Sequence, residues 1–156
     1  MTRRNELLSA LDATPRDLAR TLRNVSPTTQ GTRLAPDQWS ISDILNHINS
    51  VEIQSHTRLQ RVATESNPAI PTIIPNPTHY DQTASLEDLL ARFTTARAQT
   101  LAFLHPLSSG IWAHPATLAN GQKTTFRSLV QALVDHDTEH LNQLIVTKST
   151  LSKPPP

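Results

Sequence analysis

Near the C-terminus, the sequence contains one stretch that combines helical periodicity with side chains able to bind a metal: Val134-Asp135-His136-Asp137-Thr138-Glu139-His140-Leu141-Asn142-Gln143-Leu144. Residues four apart on a helix lie one turn above each other on the same face, so the imidazoles of His136 and His140 can reach one ion. The spacing alone is weak evidence, because seven histidines in 156 residues can produce such a pair by chance. A metal site can therefore be predicted only if the surrounding sequence places both histidines in the core and offers a further ligand.

The helix that carries this stretch is predicted to begin near Thr124 or Thr125. Its apolar residues recur at helical spacing and define one buried stripe: Phe126, Leu129, Val130, Leu133, Leu141 and Leu144. His136 and His140 fall within this inward sector or at its border. The pair is therefore expected to face the core.

Three further helices are predicted upstream. In the first, an apolar stripe from Leu7 to Val25 keeps its phase across Pro15, which favours one kinked helix over two. The second begins at the N-cap Ser40, with Asp43 three residues on and Trp39 placed to pack against the first turn. The third begins at a cap-like Ser85 and ends before Pro106. No convincing strand pattern accompanies these helices.

The connection between helices two and three is long and rich in proline. The segment 67–80 contains four prolines among polar and β-branched residues, which favours an extended conformation. About 17 connecting residues can span roughly 55 Å, enough to run the length of a bundle and place helix three parallel to helix two. The sequence thus predicts an all-α four-helix bundle with a Pro-rich crossover, forming a single domain over residues 1–150 with a disordered tail at 151–156.

Two inward histidines on one helix need partners, because an unsatisfied buried polar group costs about 1–3 kcal/mol. A third metal ligand would come from a neighbouring helix, and helix two offers His47 and, on the other flank of its stripe, His56. Periodicity does not choose between them. Asp43 and Gln54 lie on the same flank of helix two as His47. They are candidates for residues that hydrogen-bond to a ligand histidine without binding the metal. Three nitrogen donors suit zinc, nickel, iron or another borderline divalent ion and leave a coordination position open.

A structural role for the histidines is the competing interpretation, because a buried pair can also be satisfied by carboxylates or water. Asp137 is interpreted as a buried hydrogen-bonding residue, with the Trp39 indole or the backbone as its partner, and Trp112 as a lid over one end of the core. For the remaining histidines, His79, His105 and His114, exposed or loop positions are expected.

Composition excludes several functional classes. Fourteen basic against 13 acidic residues, dispersed along the chain, give no electrostatic surface for nucleic acid or an anionic membrane. The absence of cysteine excludes disulfides and protein thiolates, so any thiol chemistry needs an external thiol. No segment suits a signal peptide or a membrane span, and we therefore expect a cytoplasmic protein.

Together these motifs resemble the DinB-like (YfiT-like) superfamily of metal-dependent enzymes. The resemblance covers nearly the whole chain and rests on these residues: Trp39-Ser40, His47, Glu52, His114-Pro115, Gly121, Thr124 and His136-Asp137-x-x-His140-Leu141-x-Gln143. It implies an up-down-down-up four-helix bundle and a divalent ion, zinc or nickel above others, held by His47, His136 and His140. The resemblance thereby selects His47 over His56.

The resemblance implies two chemistries at a small-molecule site. One is S-transfer or isomerisation that uses a low-molecular-weight thiol as co-substrate, and the other is hydrolysis by an activated water. A protease is excluded, because Asp137 is shorter than the glutamate of the His-Glu-x-x-His motif. The alternative from a different class is a non-catalytic bundle that binds a ligand or partner, with a structural metal or none. Such bundles can form homodimers, and no apolar stripe outside the core selects that state.

Overall fold

The structure is a computed structural model that describes residues 3–154. Its helices are α1 (Arg4–Thr21), α2 (Pro27–Gly31), α3 (Ile41–Thr64), α4 (Leu86–Leu104) and α5 (Phe126–Leu151). The four long helices form a bundle, which confirms the predicted all-α, four-helix class. The short α2 was expected to be an irregular connection.

The starts of the long helices follow the predicted capping residues. Ser40 Oγ accepts a 3.1 Å hydrogen bond from the Asp43 amide, and Asp43 Oδ2 accepts one of 3.0 Å from the Ser40 amide. This reciprocal pair is a capping box, which satisfies two amides at the helix start. Ser85 and Thr125 cap α4 and α5 through the hydroxyl alone, which accepts a hydrogen bond from the amide of Asp88 and of Ser128 respectively. As predicted, α1 is one helix that contains Pro15.

In the bundle, α3 packs against α4 and α5, and α1 packs against the same two helices. Hydrogen bonds join Asn49 to Leu89 and Glu52 to Arg97, so positions along α3 and α4 rise together and the two helices run in the same direction. Because the connecting segment between them must cross the length of the bundle, it is long.

A small sheet was not predicted. It contains β1 (Ala69–Ile70), β2 (Pro115–Leu118) and β3 (Lys123–Thr125), in the order β1-β2-β3. The pair β1–β2 is parallel and β2–β3 is antiparallel. Strands of two to four residues are too short to show alternation in the sequence, which is why the expectation of no strands was wrong. Gly121, at φ 83°, supplies the left-handed residue in the turn between β2 and β3.

The long crossover between α3 and α4 is largely extended, as predicted, but includes β1 and a 3₁₀ turn at Pro77–His79. It delivers Tyr80, which is buried, to the bundle. Trp112 is 1% exposed and packs against Phe126 at one end of the core, as expected of a lid. Leu151 is still helical, and residues 155–156 of the predicted tail lie outside the described residues. Within residues 3–154 no helix is long and apolar enough to cross a membrane.

Candidate metal centre

The structure brings together the three histidines predicted as ligands. His47 lies on α3, and His136 and His140 lie one turn apart on α5. One nitrogen from each ring lies within 4.8 Å of the other two, and Nε2 of His47 is 2.9 Å from Nε2 of His136. His47 is 5% exposed and His140 8% exposed. His136 is half-buried, so donors from two helices converge at a largely buried position.

The cluster fits a borderline divalent ion. Two nitrogens bound to one tetrahedral zinc at 2.0–2.1 Å lie roughly 3.3 Å apart, and the 2.9 Å between the His47 and His136 nitrogens differs by only a few tenths of an ångström. Small ring rotations would close that difference. Three imidazoles leave at least one coordination position for water or a substrate atom, as in catalytic rather than closed structural sites.

The protein keeps two of these imidazoles, those of His47 and His136, in the neutral form that metals bind. Burial, with the charge of His140, lowers the pKa of His47 to about 4. Burial lowers the pKa of His136 to about 3, helped by the charges of His140, His47 and Arg97. Nδ1 of His136 is also buried without a hydrogen-bond partner among the described residues. At neutral pH both rings therefore offer lone pairs.

Two side chains, those of Gln143 and Tyr80, contact the histidines and orient two of the imidazole rings. Gln143 Oε1 lies 2.7 Å from Nδ1 of His140, and because an amide oxygen only accepts, Nδ1 carries the proton and Nε2 presents its lone pair. The hydroxyl of Tyr80 lies 3.3 Å from Nδ1 of His47 and can accept a hydrogen bond from its N–H. Such hydrogen bonds fix the tautomer and the orientation of ligand histidines. Gln143 belonged to the motif but had no assigned role, and Tyr80 was missed because its segment has no periodicity.

An aromatic side chain covers the cluster. The ring of half-buried Trp39 is centred 4.8 Å from that of His47 and 6.2 Å from that of His140, with the latter pair stacked. Trp39 was predicted to pack against the first turn of its helix, and the structure places it over the histidines. It thereby restricts water on one side of the site.

Behind the histidines, a buried ion-pair network joins all four long helices. Arg97 of α4 is fully buried and binds both Glu52 oxygens, at 3.0 and 2.7 Å, and both Asp137 oxygens, at 2.8 and 3.1 Å. From α1, Leu11 accepts from Arg97 through its carbonyl, and Thr14 donates to Asp137. Asp137 is thus the predicted buried hydrogen-bonding residue, but its partners are Arg97 and Thr14 rather than the Trp39 indole.

The ion-pair network also keeps the Arg97 guanidinium charged. Burial opposes the charge of Arg97, but the hydrogen bonds to Glu52 and the charge of Asp137 raise its pKa above the ordinary value. Because Asp137 follows His136 directly and Glu52 lies five residues after His47, Arg97 sets the register of α3 against α5. The sequence did not reveal this role, because no periodic signal shows which charge a buried arginine meets on another helix.

The remaining candidates lie away from the cluster. His56 places Nδ1 3.0 Å from the Thr100 hydroxyl, and His114 places Nδ1 3.1 Å from the Val62 carbonyl. His79 and His105 are exposed, as expected. Asp43 bonds to Ser40 and Gln82, and Gln54 to Ser50. Neither Asp43 nor Gln54 hydrogen-bonds to His47 itself, and an indirect role in orienting the histidines stays a prediction.

A cavity of about 420 Å³ opens onto the cluster between α3 and α5. His47 and His136 line it at one end, and its walls are mainly apolar: Val51, Leu59, Ile73, Leu118, Leu129 and Leu133. A larger cavity of about 670 Å³ lies beside Trp112 and Asp135 and contains no histidine. We place the candidate substrate site in the smaller one, because it alone of the two contacts the metal-binding side chains.

Comparison with known proteins identifies the fold and the family. The chain has the fold of YfiT from Bacillus subtilis, described as a probable metal-dependent hydrolase with an unusual four-helix bundle topology, at a TM-score of 0.84 and 15% identity over 99% of this chain and 92% of that one. It is also similar to the DinB-like protein YjoA from Bacillus subtilis, with a TM-score of 0.69, 17% identity and coverage of 97% and 95%. No curated protein sequence matches it. The model of the DinB superfamily matches residues 10–144, and the chain therefore belongs to the DinB superfamily.

Proposed function

We propose that the protein is a metal-dependent enzyme that acts on a small molecule, with His47, His136 and His140 as the metal ligands. The observation that carries the proposal is the convergence of three imidazoles within 4.8 Å at the end of a cavity. The description of YfiT as a probable metal-dependent hydrolase supports the same class of chemistry.

A zinc or nickel ion in such a site supplies a Lewis acid that lowers the pKa of a water or a thiol at its open position. The protein's own residues prepare the site. Gln143 and Tyr80 orient two of the rings, and Trp39 excludes water from one side. The apolar walls of the cavity bind the body of the substrate beside the histidines.

The nucleophile we favour is an external low-molecular-weight thiol. Among the described residues, no carboxylate hydrogen-bonds to the three histidines, and the nearby Glu52 and Asp137 are held by Arg97. Neither of these two carboxylates is thus free to act as a general base for water, whereas a thiol ionises more readily. In the transfer, the S–H bond breaks and a sulfur–carbon bond forms at the electrophile, whose leaving group departs with its electron pair and takes up the proton. The second candidate is hydrolysis, supported by the description of YfiT.

Two substrate panels test the proposal. Protein prepared without an affinity tag and loaded with zinc or nickel is assayed with electrophiles plus thiols, and with activated esters in water. Turnover should need the metal, fall to background in His47→Ala and persist in His56→Ala, because His56 is on the same helix but outside the cluster. Turnover that needs a thiol assigns S-transfer, and turnover in water alone assigns hydrolysis. Metal-loaded protein inactive in both panels would favour the non-catalytic bundle.

A further inference from the structure

Arg58 on α3 is a cation without a partner in the wall of the cavity. Its side chain is half-buried, and its Nε is buried with no hydrogen-bond partner among the described residues. No ion pair to a described carboxylate compensates it, whereas Arg61, one turn further on, is bound to Glu65 at 2.8 and 3.0 Å. Burial also lowers the pKa of Arg58, in agreement with the absence of a partner. A partly desolvated, unpaired charge costs stability, and departures of this kind from the usual pairing of charges are expected at functional sites.

The position of Arg58 relates it to the metal centre. It follows His47 by 11 residues, which is about 16 Å along the helix axis and only about 20° around it. Val51 and Ser55 lie between them on the same face, and all four side chains line the one cavity. Long side chains on a helix lean towards its N-terminus, so the guanidinium can reach into the cavity from the end remote from the histidines. The cavity is therefore an apolar groove with histidines at one end and a cation at the other.

We propose that Arg58 binds the anionic group of the substrate, so that the site selects elongated small molecules with an apolar body and a carboxylate, sulfonate or phosphate at the end remote from the reacting atom. The proposal rests on the proposed function in taking this cavity as the substrate site. A guanidinium offers five donors in a planar fork that matches such anions. Binding would also supply the partner that Nε of Arg58 lacks within the protein.

A matched pair of fluorescent probes tests the proposal. 8-Anilinonaphthalene-1-sulfonate has an apolar ring system with one sulfonate, and N-phenyl-1-naphthylamine has the same rings without it. Their dissociation constants are measured with the full-length wild type, Arg58→Gln, Arg58→Lys and, as the control, Arg61→Gln. Because a hydrogen bond to a charged group contributes about tenfold or more to affinity, Arg58→Gln should weaken the sulfonate probe by at least that factor. The affinity of Arg58→Gln for the neutral probe should equal that of the wild type. Arg58→Lys should retain part of the preference for the sulfonate probe over the neutral one, and Arg61→Gln should retain all of it.

Three results would overturn the proposal. Arg58→Gln could weaken the binding of both probes equally, or Arg61→Gln could weaken the binding of the sulfonate probe as much as Arg58→Gln does. The third is that the wild type binds the sulfonate probe no more tightly than the neutral one. A second readout is the melting temperature of Arg58→Met, which should equal or exceed that of the wild type because an unpaired charge is removed. A decrease of more than about 4 °C would instead indicate a structural role. Probe binding requires neither metal nor turnover. Loss of metal binding with the Arg58 preference intact would therefore overturn only the proposed function.

Discussion

Arg97 Nη1 donates a 2.8 Å hydrogen bond to Oδ2 of Asp137, the residue that follows the metal-ligand candidate His136. The same guanidinium holds Glu52 on α3, the helix of His47. The two helices that supply the histidines are therefore held together through α4, and the placement of the three histidines depends on an ion-pair network that shares no hydrogen bond with their rings.

Replacement of Arg97 by methionine should destabilise the protein strongly. The variant leaves Glu52 and Asp137 buried and without a cation, which typically costs about 3–5 kcal/mol. Arg92→Met is the matched control, because Arg92 lies on the same helix and forms an exposed ion pair with Asp81, worth about 1 kcal/mol or less. Urea unfolding of both variants measures the difference. A free energy of unfolding for Arg97→Met as close to wild type as that of Arg92→Met would show that the network does not hold the bundle together.

The hydrogen bond from His140 to Gln143 should contribute to metal affinity. Gln143→Leu removes the acceptor at 2.7 Å from Nδ1, and loss of such an outer partner typically weakens metal binding by about 10–100-fold. Gln143→Glu keeps an acceptor and should retain the affinity. Asn142→Leu, an exposed neighbour on α5, is the control. Competition with a chromophoric chelator gives the dissociation constants of the metal. Equal metal affinities of Gln143→Leu and Asn142→Leu would show that Gln143 does not contribute to metal binding.

The metal-free protein should lose stability in mild acid because of its buried histidines. His47 in the folded chain has a pKa of about 4, whereas an unfolded histidine titrates near 6.5. Between these values the unfolded chain binds a proton that the folded chain does not, so stability falls as the pH is lowered from about 6.5 towards 4. His136 acts in the same direction.

Urea unfolding of chelator-treated wild type and His47→Gln at pH 7, 6 and 5 measures this effect. The variant lacks one of the depressed groups, so its free energy of unfolding should fall less over this range. Parallel pH profiles for the two proteins would mean that His47 titrates normally in the folded state.

The parts of this molecule that could be predicted from sequence are those encoded locally. Ser40 and Asp43 start α3 through contacts three residues apart, and the helical period places His136 and His140 on one inward face. The choice of His47 over His56 needed the family resemblance, because both border the same stripe. Periodicity describes one helix at a time and leaves the pairing of helices open.

The missed features depend on contacts between distant segments. Arg97 occupies a position on the stripe of α4, four residues after Phe93, but its partners lie on three other helices. Tyr80 reaches His47 from the end of a proline-rich segment whose path has no repeating pattern. The pairing of β1 with β2 joins Ala69 to Thr117, and strands so short carry no signal of their own.

Metal content tests the central claim most directly. Protein purified without a histidine tag or a metal-affinity step is dialysed and analysed for its elements, together with His47→Ala and the control His56→Ala. We predict about one zinc or nickel ion per chain in the wild type and in His56→Ala, and little or none in His47→Ala, because a two-histidine site binds weakly. Wild-type protein without stoichiometric metal, or equal metal content in His47→Ala and His56→Ala, would contradict the three-histidine metal centre.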